Sequence, residues 1–258
     1  MTMSNGWRPE PNDAQHWSYE TRLLPLMREL HAADVDLRSF SSPRHDQQTT
    51  NSCVAQATVK ALEIKRIMEH GAEAHVDLSR RAVYYLAREQ MNPPQHLVDD
   101  GTYIGHAFDV LRRFGVPPEE DHPWHDDEIN VSPDWLDMRK AFLHKIDSFY
   151  RIFSTGGQRI AEVVRCLRAH NPVVFGTTVG NNWQDYTEDS LPLRLPVDVT
   201  GRHATVIVGY VDGHFIGENS WGTEWGRDGF YLLAPAVVAS EQSGDFWVVQ
   251  AGFEEYAK

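Results

Sequence analysis

Cysteine is scarce: the 258 residues include only Cys53 and Cys166. A secreted domain of this size would more often carry several disulfides, so two thiols point to a reducing compartment, the cytoplasm, with delivery by a signal-independent secretion route as the alternative. The opening stretch, MTMSNGWRPEPNDAQHW, has neither the basic run nor the apolar run of a secretory signal. No stretch approaches the roughly 20 apolar residues of a membrane-spanning helix. Basic residues are outnumbered, 24 Lys and Arg against 37 Asp and Glu, for a formal net charge of -13. That balance argues against nucleic-acid backbones and anionic membranes as partners. Gly/Ser linkers, low-complexity tracts, internal repeats and phosphate-cradling glycine loops are also missing.

What is present suits a globular chain of one or two domains, 41% hydrophobic and 11% aromatic. Residues 1–34 are polar, with Pro9 and Pro11 and one amphipathic stretch at 23–30; residues 35–44 look extended. Helical periodicity then predicts helices over 52–71, with Asn51 and Ser52 as cap types and Gly71 as the stop, and over 79–91 and 103–114. A fourth helix is predicted from Ser132 and Pro133 to 145, and a fifth over 158–170. Beyond it come short β-rich runs at 173–179, 204–210, 214–217, 230–233 and 246–249. Helices first and strands second predict an α+β fold divided near Ile146. The division gives an N-terminal extension over 1–44, a helical lobe over 45–145 and a β-rich lobe over 146–258. Trp7, Trp17, Tyr19 and Leu23 are too apolar to leave in water, so the extension is expected to dock. A strap along the β-rich lobe is favoured over a plug in the cleft.

Four elements carry chemistry. Cys53 stands at a helix start, where partial positive charge favours a thiolate. His203 heads the apolar strand in GRHATVIVGY. Asn219, in ENSWGTEWGRDGF, can accept from an imidazole N–H and orient the ring, with Trp221 shielding that bond. Gln47, six residues before Cys53, offers an amide donor that can join the Cys53 backbone N–H in holding an oxyanion. His122, His125, Asp126, Asp127 and Glu128 lack helical metal-site spacing and read as a solvated loop. Cys166 reads as a packed helix residue.

Together HDQQTTNSCVAQA, DDGTYIGHAFDVLRRFGV, GRHATVIVGY and ENSWGTEWGRDGFYLL resemble the papain family of cysteine peptidases. The order Gln, Cys, His, Asn matches, and His203 and Asn219 stand 16 residues apart. The resemblance implies a two-lobed fold, a helical lobe and a barrel-like β-rich lobe, with the active site in the cleft between them. It implies catalytic Cys53, His203, Asn219 and Gln47, with Cys53 and His203 as a thiolate–imidazolium pair. A protein or peptide is the implied substrate, no metal or organic cofactor is called for, and the chain is expected to act as a monomer. Gly101, Thr102 and Trp221 fall at positions implied to line the substrate cleft, with the Thr102 side chain expected to narrow it. Asn51-Ser52 replaces the family's second cysteine, and Val54 its usual aromatic. The extension is shorter than the long inhibitory propeptides of lysosomal relatives. Acyl transfer or isopeptide cleavage by the same thiolate, and a non-catalytic binding protein of the same fold, are the competing readings.

Overall fold

A computed structural model describes residues 5–11, 16–20, 34–91 and 97–250. The longest helix, α1 (Cys53–His70), ends at Gly71, whose φ of 84° and ψ of 164° only glycine adopts cheaply. Ser52 precedes it without capping; its hydroxyl instead meets Thr50 Oγ1 at 2.8 Å and accepts from the Gln56 side chain. α2 (Arg80–Glu89) is capped, the Ser79 hydroxyl accepting from Ala82 N at 3.2 Å. α3 (Ile104–Arg113) packs on both. Because α2, α3 and the sheet surround α1, its polar residues Lys60 and Glu63 are buried along with its apolar face.

The predicted fourth helix is not α-helical. Residues Asp137–His144 form 3-10 turns, and the residues before them are held otherwise. Asp134 Oδ1 accepts from the backbone N of Leu136 and Asp137, and Asp137 Oδ2 accepts from Asp134 N. These short carboxylates compete with α-helical bonding.

Seven strands are described: β1 (Val35–Asp36), β2 (Ser148–Ile152), β3 (Val173–Val179), β4 (Gly201–Val211), β5 (His214–Glu218), β6 (Phe230–Leu233) and β7 (Ser243–Gln250). They form one antiparallel sheet in the order β2-β7-β3-β4-β5-β6, with β1 on β4. α4 (Gly156–Arg168) and the short α6 (Pro235–Ala239) pack together beside it. α5 (Asn181–Gln184) follows β3. The fold is α+β, and α1 rests against β4, so the head of the helix meets the strand that carries His203.

A buried charge network ties the chain before Gln47 to this frame. Lys60 Nζ lies 3.3 Å from Glu218 and 3.8 Å from Glu63. Glu63 in turn accepts from Leu78 N at 3.0 Å, meets His45 Nε2 at 3.1 Å and accepts from the Ser42 hydroxyl. The amphipathic stretch at 23–30 lies outside the described residues.

Candidate active site

Cys53 is the first residue of α1 and is fully buried. Its Sγ accepts from Ala204 N at 3.3 Å, which places it beside the residue following His203 in β4. His203 Nε2 lies 2.7 Å from Asn219 Oδ1. The same oxygen accepts from Ser220 N at 2.8 Å. A backbone N–H can only donate, so this atom is the amide oxygen and the imidazole must donate to it. The neutral ring then carries its proton on Nε2 and leaves Nδ1, which has no hydrogen-bond partner, as the basic nitrogen. Burial pushes His203 down to about 4, against the Asn219 bond, which raises it. Loss of water thus favours the neutral imidazole in this covered site.

Trp221 lies 4.9 Å from the His203 ring at 39°, over the imidazole. Trp183, from α5, meets the His203 ring edge-on at 5.9 Å and 71°, touches Trp221, and stacks on Trp225. Trp183 carried no sequence signal that separates it from an ordinary core aromatic. Gln47 is buried, its Nε2 donating to Thr50 O at 2.6 Å and its Oε1 accepting from Ser220 Oγ at 2.8 Å. Its backbone N donates to Ser220 O, so the glutamine is anchored to the segment that carries Asn219.

Gly101 and Thr102 face residues 6–8. Thr102 N donates to Gly6 O at 2.9 Å and Arg8 N to Thr102 O at 3.1 Å, a parallel pairing centred on Trp7. The Thr102 side chain does not narrow the cleft as expected: it is fully buried, and its hydroxyl contacts Met91 Sδ at 3.3 Å. A strand shows successive groups to opposite sides, and here the backbone edge takes the neighbour.

Residues 5–8 cover the site. Asn5 N donates to Asn51 Oδ1 at 2.8 Å, and a Cβ on Gly6 would stand 2.6 Å from Cys53 Sγ. Trp7 is buried and donates Nε1–H to Asp245 Oδ2 at 2.9 Å. The segment then crosses to the sheet. Glu10 N donates to the same Asp245 oxygen at 2.8 Å, and Arg151 donates to Pro11 O and Glu10 O. Ser18 pairs with Arg151 of β2, and Tyr19 is buried beside Cys166. A strap along the β-rich lobe thus describes residues 10–11 and 16–20 and leaves out residues 5–8, which sit on Cys53.

His122 is buried rather than solvated, its Nδ1 3.0 Å from Asp137, while His125 to Glu128 are more exposed. The described side chains that could converge on a cation are His45, Glu63 and Asp77. Protein cations already answer both carboxylates, Lys60 at Glu63 and Arg80 at Asp77, 2.6 Å away. No described helix is long and apolar enough to cross a membrane.

Comparison with known proteins agrees with this geometry. The profile of the papain family cysteine proteases matches residues 31–244. An uncharacterised peptidase C1-like protein of Acanthamoeba polyphaga mimivirus is 31% identical over 219 residues, 80% of this chain and 68% of its own length. A probable cysteine protease of Arabidopsis thaliana, RDL6, is 28% identical over 83% of this chain and 58% of its own. The solved structure of xylellain, a cysteine protease from Xylella fastidiosa, superposes with a TM-score of 0.81 at 28% identity, covering 97% of each chain.

Proposed function

The chain belongs to the papain family of cysteine proteases, and we propose that it hydrolyses peptide bonds with Cys53 as nucleophile and His203 as its base. Asn219 orients the imidazole. Gln47 and the Cys53 backbone N–H hold the oxyanion. Cys53 Sγ attacks the scissile carbonyl carbon while its proton passes to His203 Nδ1. The tetrahedral adduct collapses, the C–N bond breaks, and the amine leaves with that proton. Water then gives a proton to Nδ1 as its oxygen attacks the thioester, releasing the acid and the Cys53 thiol.

The observation that carries this reading is the 2.7 Å bond from His203 to Asn219, with the oxygen assigned by Ser220 N. It fixes the tautomer that a thiol needs, beside the strand residue that touches Sγ. A binding protein would gain nothing from that tautomer. Free Cys53 and Cys166 support a reducing compartment as its place of work. The cover over Cys53 supports a self-inhibited resting form, with a peptide as the natural occupant of the cleft. Gly6 turns its carbonyl to Thr102 N rather than to the thiol, which explains how the segment lies there uncut. Cys53→Ala should abolish peptide hydrolysis while the circular dichroism spectrum and Tm stay close to wild type. Wild-type turnover in that variant would refute the assignment.

A further inference from the structure

The loop that leads into α1 is held without a disulfide, since Cys53 and Cys166 are both free thiols. Asn51 holds it instead. Its backbone N donates to both oxygens of the Asp99 carboxylate, at 2.9 and 3.1 Å, and its side-chain Nδ2 donates to Asp99 O at 2.7 Å. Tyr84 completes the clamp: its hydroxyl donates to Asp99 Oδ1 at 2.6 Å and accepts from Gly101 N at 3.2 Å. The loop before the nucleophile and the backbone edge at Gly101 are thereby fixed to one carboxylate. Asn51 has one group that this clamp does not use. A backbone carbonyl can only accept, so the atom facing Asp99 O is the amide nitrogen and the other is the oxygen. That oxygen accepts from Asn5 N at 2.8 Å, in the residue before the glycine packed on Cys53 Sγ. The cover is itself a peptide lying over the nucleophile, so its bonds mark where the cleft can hold a backbone. Thr102 supplies its backbone N and O, and Asn51 supplies a side chain.

We propose that Asn51 is a substrate-binding residue, whose side-chain oxygen accepts a backbone N–H of the peptide beside the carbonyl that is attacked. The inference rests on the peptidase reading above. An extended chain carries one backbone N–H per residue, about every 3.4 Å. A peptide that brings a carbonyl carbon to Sγ, in either chain direction, therefore also brings an N–H close to the place of Asn5 N. Other side chains suit the position less well. Aspartate would set a second carboxylate against Asp99. Alanine and glycine offer no acceptor, and serine has a single hydroxyl for both partners. An amide donates to Asp99 and accepts from the peptide at once. Its bonds to Asp99 hold the oxygen in place before the peptide arrives, so little freedom is lost on binding. The competing reading makes Asn51 a loop tie alone. That tie is already made by its backbone N and its Nδ2, and neither needs the oxygen.

The test uses the full chain, wild type and Asn51→Ala, and a quenched peptide, Abz-Ala-Leu-Gly-Ala-Ala-Lys(Dnp), whose glycine matches the residue that the cover sets on Cys53. In a series of analogues each backbone amide other than the scissile one is replaced in turn by a ketomethylene, CO–CH2. That change removes the N–H and leaves nothing to hydrolyse at the altered link. Product masses confirm that the same bond is cut throughout. The cover slows parent and analogue alike, so the ratio of their kcat/KM reports the bond. In wild type the analogue lacking the N–H at Asn51 should be penalised. In Asn51→Ala that penalty should shrink by about 3- to 10-fold, the worth of one neutral hydrogen bond, while the penalties at the other positions stay within about twofold. Circular dichroism checks the fold, and Asn51→Ser, whose hydroxyl is too short to serve both Asp99 and the peptide, should repeat the result if the alanine variant unfolds. Equal penalties in both enzymes at every position overturn the inference, because the oxygen then receives no substrate N–H. A change spread evenly over all positions also overturns it and makes Asn51 a loop tie. A wild type that takes iodoacetamide at Cys53 but cuts no peptide of the series overturns the peptidase reading, and this inference with it. Cleavage of the parent peptide keeps the two failures apart.

Discussion

The proton on His203 Nε2 has a fixed address because Ser220 N occupies the same Asn219 oxygen. Remove the amide and the ring can turn or take the other tautomer, which puts the proton on the wrong nitrogen for a thiol. A positioned acid–base group contributes roughly 10²–10⁴ in rate, and losing its orientation forfeits part of that. Asn219→Ala should therefore lower kcat by about 10- to 100-fold, with KM little changed and the fold retained; steady-state kinetics on a fluorogenic peptide would measure it. A kcat within twofold of wild type would remove the orienting role. Cys53, His203, Asn219 and Gln47 stood out in the sequence through an order and spacing that resemble the papain family, and the structure sets Cys53 beside the strand of His203 and His203 against Asn219. Trp183 did not. Its place beside His203 depends on how α5 turns after β3, and nothing in NNWQD distinguishes a site tryptophan from a core one.

Elements were legible where local periodicity and burial agree. α1 and the runs of β3 and β6 follow their apolar patterns closely. β2 escaped notice because SFYRI places Arg151 in a strand, which makes sense only once Asp245 on neighbouring β7 is seen to pair with it. The fourth helix failed for a local reason, the two aspartates that bond their own backbone. Glu63 shows the same limit within a well-read element: a glutamate on α1 looks like a solvated face until His45, Ser42 and Leu78 close over it. Burial works against its charge, but His45 and Lys60 hold the carboxyl well below the usual range. Glu63→Ala would leave Lys60 with Glu218 alone and the Leu78 N–H without its acceptor. Breaking a buried pair in this way costs about 3–5 kcal/mol, which urea unfolding monitored by tryptophan fluorescence would register as a lower midpoint at unchanged m. A loss under about 1 kcal/mol would mean that the network is dispensable.

Across the whole molecule, burial couples folding to pH. His203 and His144 are each pushed down to about 4 and His45 to about 3, in every case chiefly by loss of water. The unfolded chain binds protons at these sites below about 6.5 while the folded chain does not, so stability is present above 6.5 and is lost as pH falls toward 4. The depression bounds the His203 share at roughly 3 kcal/mol. His203→Gln should flatten the fall of Tm between pH 6.5 and 4, whatever its effect on Tm at neutrality; a parallel curve would show that the imidazole titrates alike in both states. The cover over Cys53 is made by residues 5–8, which the sequence could not place because a short polar segment with one tryptophan suits a strap as well as a plug. Trp7 is the anchor, 5% exposed, bonded to Asp245 and adjacent to the glycine on Cys53. Truncating a buried tryptophan to alanine costs on the order of 3–5 kcal/mol, enough to shift a docked segment to a mostly undocked one. Trp7→Ala in the full chain should then raise kcat/KM several-fold, speed iodoacetamide labelling of Cys53 relative to Cys166, and lower Tm by a few degrees. A variant that stays folded with kcat/KM and Cys53 labelling both unchanged would show that the segment leaves the cleft freely in solution, making residues 5–8 a bystander and residues 10–11 and 16–20 a structural strap alone.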